Sequence, residues 1–129
     1  MKRISITLLL TVIMSGMLFA QNKPDVKFDK IVHDYGSIKE EVEVAVSNFE
    51  ITNTGKTPVI IQRVVASCGC TSPTYTREPI LPGKKGEVKV AYSTINRPGT
   101  FRKSIRIYTN VPDTVYNLTI KGNVLPMKR

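Results

Sequence analysis

Short runs of alternating apolar and polar residues, cut at near-regular intervals by turn-forming groups, constrain this chain more than any other feature. The breaks are "DYGS" (34–37), "NTGKTP" (53–58), "LPGKKG" (81–86), "NRPG" (96–99) and "NVPD" (110–113). Gly, Pro, Asn and Asp punctuate here because they supply the special backbone angles of turns. Between the breaks the period is two. "GEVKVAYST" alternates Val88, Val90 and Tyr92. "TFRKSIRIYTN" puts Phe101, Ile105 and Ile107 on one face with Lys103 between them. "TVYNLTIKGNV" puts Tyr116, Leu118, Ile120 and Val124 on one face, with Gly122 in phase. Val, Ile, Thr and Tyr suit a pleated, half-buried surface.

Three runs are less regular. "VKFDKIVHDYG" alternates Val26 and Phe28, then meets Ile31 out of phase. "VEVAVSNFEITNTG" places Val42, Val44 and Val46 on one phase but Phe49 and Ile51 on the other, which reads as a β-bulge or a bend. "TPVIIQRVVA" is β-branched almost throughout and predicts a strand buried on both sides. No segment after residue 20 sustains a helical period. About seven short strands in about 100 residues predict an all-β, immunoglobulin-like β-sandwich. The Cys–Trp–Cys spacing of antibody domains is absent, since the chain has no Trp.

The start, "MKRISITLLLTVIMSGMLFAQ", has basic Lys2 and Arg3, an uncharged apolar stretch, and small Ala20. This is the layout of a secretory signal peptide over 1–20, cut after Ala20. A retained anchor is the competing reading; no later apolar run is long enough to span a bilayer. The remainder, 21–129, is then one domain. It is exported, periplasmic or secreted, with no membrane span after cleavage. Without Lys2 and Arg3 the chain keeps a net charge of +7 against +9 for the whole. Its basic residues are interleaved with acids and apolar residues, as in "GKKGEVKV", with no aromatic-interleaved basic patch. A solvated strand face fits this better than a specific nucleic-acid site.

The chain's two cysteines lie in "SCGCT" (67–71). In an extended strand Cys68 and Cys70 would face one side, with Cα atoms up to about 7 Å apart. A disulfide tolerates about 6.8 Å, so a bond needs the chain to turn at Gly69, which positive φ would allow. Such a bond closes a very small loop and contributes roughly 1.5 kcal/mol before strain. A small, exposed disulfide suits redox exchange better than stapling. Two thiolates also suit a soft metal, Cu(I) before Zn(II), since zinc wants four ligands. The single His33 and Met127 are the only other soft-ligand candidates past the start. Two small packed side chains are the plain structural reading.

Catalytic constellations do not emerge. A Cys nucleophile needs a His base, and the only histidine sits in "IVHDYG", where a packed or edge-strand role is the simpler reading. There is no Gly-rich phosphate loop, zinc-protease helix or serine elbow, and hence no cofactor assignment. "EEVE" (40–43) reads as a solvated turn, and "NLT" (117–119) lies inside a predicted strand. Asn53 and Gly55, like Pro82 and Gly83, read as turn formers, Asn53 tolerating αL and Gly55 supplying positive φ. The "PMKR" end is expected to fray.

In order along the chain, "FDKIVHDYGSI", "FEITNTGKTPVIIQRVVASCGCTSP", "PILPGKKGEVKVAYST", "PGTFRKSIRIYTN" and "LTIKGNV" resemble a family of small exported bacterial proteins. That family is catalogued as domain of unknown function fifteen-seventy-three, and it is similar to the immunoglobulin-like domains of abnormal-spindle and hydin-type proteins. The resemblance covers about residues 26–125, and "SCGCT" is its most specific piece. It implies a sandwich and an extracytoplasmic address, and no established activity. The segment from Gly36 to Phe49 is one residue longer than the pattern.

The expectation is therefore a non-enzymatic, exported binding or structural module with a protein or envelope partner. The candidate interaction loop comprises Ser67, Gly69, Thr71, Ser72, Pro73, Thr74 and Tyr75, because long loops on rigid scaffolds concentrate function. The alternative is a thiol-redox or copper-handling protein acting through Cys68 and Cys70.

Overall fold

The computed structural model describes residues 23–128. The signal-peptide reading of 1–20 lies outside the described residues. Among the described residues eight strands form the fold: β1 (Val26–Phe28), β2 (Val32–Lys39), β3 (Val44–Asn53), β4 (Ile61–Ala66), β5 (Thr71–Tyr75), β6 (Lys85–Ser93), β7 (Gly99–Thr109) and β8 (Val115–Leu125). They make two four-stranded sheets, in the orders β1-β3-β6-β5 and β2-β8-β7-β4. All neighbours are antiparallel except β2 and β8, which run parallel. This is the all-β sandwich that the strand pattern implies. The count is eight instead of about seven. Residues 26–36 split between the two sheets, and 71–75 form a strand instead of part of a loop.

The inward rows of both sheets build one core. Phe49, Ile51, Val88, Val90, Ile105, Ile107, Leu118 and Ile120 are fully enclosed. Tyr92 is buried with them and stacks on Phe101, with ring centroids 4.0 Å apart. Burying such side chains is the main favourable contribution, of the order of 1.5–3 kcal/mol each. Gly122 sits in phase where a Cβ would be crowded, with the Phe101 ring at 3.0 Å and the Gly36 carbonyl at 3.1 Å from its place.

Three local expectations are corrected. β3 has no slip. Its register with β6 is continuous from Val44 to Thr52, and Ala45, Ser47, Phe49, Ile51 and Asn53 all point inward. Val44 and Val46 point to solvent, 51% and 55% exposed, so hydrophobicity misled the phase. The irregularity sits just before the strand, in the 3-10 turn Glu40–Val42 and at Glu43, whose φ is +67°. β4, second, is an edge strand and not buried on both sides, with Val65 exposed.

The third concerns polar residues read as surface punctuation. Glu40 is buried, not solvated; its carboxylate accepts the N–H groups of Asn96 (2.9 Å) and Met127 (2.8 Å). The C-terminal end is thus tied at Met127 instead of fraying from Pro126. Asn53 is a buried hub in β3, not an αL turn residue. Its Nδ2 donates to the carbonyls of Thr57 and Ile80, and its Oδ1 accepts from Gly55 N. Gly55 has no positive φ; it is needed because residues 23–25 run against it, with Lys23 O and Asp25 N where a Cβ would stand. At 81–84 the turn reading matches the geometry: Gly83 has φ +77°, and Lys84 N donates to Leu81 O.

Candidate functional site: the cysteine corner

β4 belongs to one sheet and β5 to the other. The chain crosses between them at Ser67–Cys70, on the flank where both strands are sheet edges. Ser67 ties the near side: its N–H donates to Ser104 O, and its Oγ accepts from Ser104 N. Cys70 ties the far side, its carbonyl accepting from Ser93 N at 2.9 Å. A turn closes between them, with Thr71 N donating to Cys68 O.

Within this corner Cys68 and Cys70 are joined as a disulfide, with Cα atoms 5.3 Å apart. That is well inside the reach of the bond, whereas a fully extended chain would sit at its limit. The turn does run through Gly69 but without positive φ, contrary to the sequence-based expectation, and nothing lies within 4 Å of the place of its Cβ. Gly69 is exposed, Cys68 half-buried and Cys70 part of the core. The Thr71 hydroxyl lies against both sulfurs, 3.8 Å from Cys68 Sγ and 3.6 Å from Cys70 Sγ. Cys70 N donates to Cys68 Sγ at 3.3 Å. In this form the sulfurs bond each other and offer no thiolate, the species that ligates metal or attacks.

The soft ligands considered with them are not assembled at the corner. His33 lies on β2, the opposite edge of its sheet from β4. Three strand spacings separate those edges, roughly 14 Å. His33 faces inward: its ring meets Tyr35 edge-on at 4.5 Å, and its Nδ1 accepts from Lys30 Nζ at 3.0 Å. Burial, then the Lys30 ammonium, pushes its pKa below the ordinary 6.5, with Asp34 opposing. Met127 is engaged at Glu40 through its backbone. Among the described residues no three His, Cys, Asp or Glu side chains gather as a metal site.

Of the candidate interaction loop, Ser67 and Gly69 stay in the corner turn, but Thr71, Ser72, Pro73, Thr74 and Tyr75 form β5. Thr71, Pro73 and Tyr75 point inward; Ser72 and Thr74 point outward beside Ala91 and Lys89. Tyr75 is held under Arg77, whose guanidinium lies 4.0 Å from the ring centroid. The outward row continues from Ser72 through Ala91 to Val46, with Val44 beside Ser93 in the next row. Exposed Val44 and Val46, with Val42 and Ile95 nearby along the chain, make an apolar strip beside the corner. Sequence reasoning missed this strip because it explained the change of phase between Val46 and Phe49 by a bulge or bend, not by an apolar row facing solvent.

Comparison with known proteins bears on the fold. The family described as "Protein of unknown function (DUF1573)" matches residues 26–124. No curated protein matches significantly. A protein of unknown function from Porphyromonas gingivalis W83 superposes with a TM-score of 0.68 at 18% identity, over 83% of this chain and 50% of that one. A family 123 glycoside hydrolase from Clostridium perfringens gives 0.61 at 9% identity, over 81% and 27%. The VesB protease of Vibrio cholerae gives 0.59 at 13%, over 77% and 31%. The chain spans half or less of each of these proteins. At such identities the likeness is one of fold, and fold alone carries no activity.

Proposed function

Taking as premise that the chain belongs to the DUF1573 family, of unknown function, we propose that it is a non-enzymatic, exported binding or structural module of the cell envelope. Its N-terminal residues carry the layout of a cleaved signal peptide, which supports an address in the periplasm or outside the cell. The observation that carries the reading is the exposed strip Val44–Val46 beside the braced Ser67–Cys70 corner. Apolar side chains on an outer sheet face, rimmed by Ser72 and Ser93, suit a protein contact. The corner is anchored to both sheets, so the surface is held rigid before any partner arrives, and little ordering is left to pay on binding.

Fractionation and site-directed photo-crosslinking test this. The chain is expected outside the cytoplasm, cut after Ala20. A photoreactive group at Val46 or Ser72 is expected to give one discrete envelope adduct, and one at Lys27, at the opposite edge of that sheet, none. Cytoplasmic retention, or equal adducts from all three positions, would overturn the reading.

A further inference from the structure

The open edge of β4 lies on the same flank as the cysteine corner, and it differs from its neighbour β5 in one chemical respect. On β5, the Cys70 carbonyl and Thr76 N bond to β6. The ladder period is two, so Ser72 and Thr74 also turn their N–H and C=O groups toward β6. Thr71, Pro73 and Tyr75 turn theirs to the open side. Pro73 has no N–H, and Thr71 N is already given to Cys68 O. This edge is blunted against strand addition.

On β4 the opposite holds. Ser67 N bonds Ser104 O, and Val65 and Arg63 follow in register with Arg106 and Tyr108. Val64 and Ala66 therefore direct their N–H and C=O groups away from β7, to a side where no strand pairs among the described residues. No proline interrupts Ile61–Ala66. A hollow of about 340 Å³ lies on the outer face over β4 and its neighbour β7, lined by Val65, Ala66, Ser67, Ser104 and Arg106.

The charge nearest that edge is positive, from Arg63 on β4 and Arg106 on β7. The outer face of the β2-β8-β7-β4 sheet carries Arg63, Arg106, Arg102, Lys121 and Lys39, with Asp34 as its acid. Asp34, Lys121 and Arg102 stand side by side in one row, so Asp34 partly answers that like-charge pair, whereas Arg63 and Arg106, nearer β4, have no acid in register. The Arg63 guanidinium lies over the Tyr108 ring, 4.2 Å from its centroid. The other sheet's outer face mixes signs instead, with Lys85 paired to Glu50.

Resting on the binding-module reading above, the geometry points to a specific occupant: an extended, acidic segment of another protein that adds to β4 as an extra strand. Its main chain meets the free groups of Val64 and Ala66, and its outward carboxylates meet Arg63 and Arg106. A second copy of this chain fits less well, because edge-to-edge pairing would bring two such cationic faces together.

The test uses the 15N-labelled protein, purified as the cell processes it, and a capped octapeptide alternating Glu and Val. Amide exchange at Val64 and Ala66 is expected to slow at least tenfold with this peptide, and to stay unchanged with a Lys–Val counterpart. Val64→Pro removes a donor that β7 does not use, and is expected to weaken binding at least tenfold. Should that variant fail to fold, the double variant Arg63→Glu with Arg106→Glu is expected to do the same. Peptide binding without protection of those amides overturns the inference. So does heparin binding that competes fully and survives Val64→Pro, which would make the face a polyanion site. No binding at millimolar peptide also overturns it. If the crosslinks at Val46 and Ser72 persist in that case, the added strand falls alone; if they vanish too, the module reading falls with it.

Discussion

The carboxylate of Glu40 accepts the backbone N–H of Met127, 87 residues further along the chain, at 2.8 Å. The same carboxylate holds Asn96 N, and the Glu40 carbonyl accepts from the buried Thr94 hydroxyl. One acidic side chain thus binds the turn before β3, the loop after β6 and the C-terminal segment. Glu40→Ala is expected to cost about 3 kcal/mol, since it strips charge-assisted bonds from an enclosed site. Glu40→Gln, which keeps a carbonyl acceptor, is expected to cost less. Urea unfolding measures both, and faster amide exchange at Met127 in the alanine variant locates the effect. A change within error would show that water replaces the carboxylate freely.

The cysteine bridge is expected to contribute little to folding. Its loop is about three residues long, for which the chain-entropy relation gives roughly 1.5 kcal/mol. Cys68→Ser is therefore expected to fold, and Cys70→Ser to lose more, because Cys70 sits in the core at 6% exposure. Intact mass with thiol counting on the purified protein is expected to show no free thiol. Two thiols that take up Cu(I) stoichiometrically would favour the copper-handling alternative.

Glycine substitutions are expected to rank against their distinctiveness. Gly69→Ala should stay within about 0.5 kcal/mol, as its Cβ meets open space. Gly55→Ala is expected to cost about 3 kcal/mol, because the backbone of Lys23–Asp25 occupies the Cβ position. Thermal melts of the two variants side by side decide this. A destabilised Gly69→Ala protein would mean that the corner needs a backbone shape other than the one described.

His33 sets a pH dependence of definite sign. Its folded pKa lies below 6.5 because of burial and the nearby Lys30 ammonium. Between the folded value and 6.5 the unfolded chain binds more protons than the folded one. The stability present above 6.5 is thus lost as pH falls through that window. Urea midpoints are expected to fall from pH 7 to pH 5, and to fall less in His33→Gln. An equally steep fall in the variant would remove His33 as the cause.

The sandwich was legible because β6, β7 and β8 are half-buried strands whose alternation survives intact, as in Val88–Val90–Tyr92. Residues 42–51 misled because Val44 and Val46 are as apolar as Phe49 and Ile51 yet face outward. Period-two reading assumes that solvent rows are polar, and this row is not. Glu40 and Asn53 looked like surface residues because their partners, Met127 and Asn96, Ile80 and Thr57, are brought in by tertiary folding. The corner's position between sheets was likewise invisible, since spacing says that Cys68 and Cys70 are close, but not that the chain changes layer between them. β5 was read as a loop because Pro73 and its hydroxyl neighbours resemble a turn; on an edge, a proline is tolerated.

The parallel pair β2–β8 has a mechanical consequence. A pull that draws residue 23 away from residue 128 slides β2 toward its start and β8 toward its end. Their registered pairs, from Val32–Thr119 to Lys39–Leu125, are then loaded lengthwise and together. Short β1, antiparallel to β3, has three registered pairs to give up first. Tension applied through the two ends thus meets a weak outer latch, then a ladder that must shear as a unit.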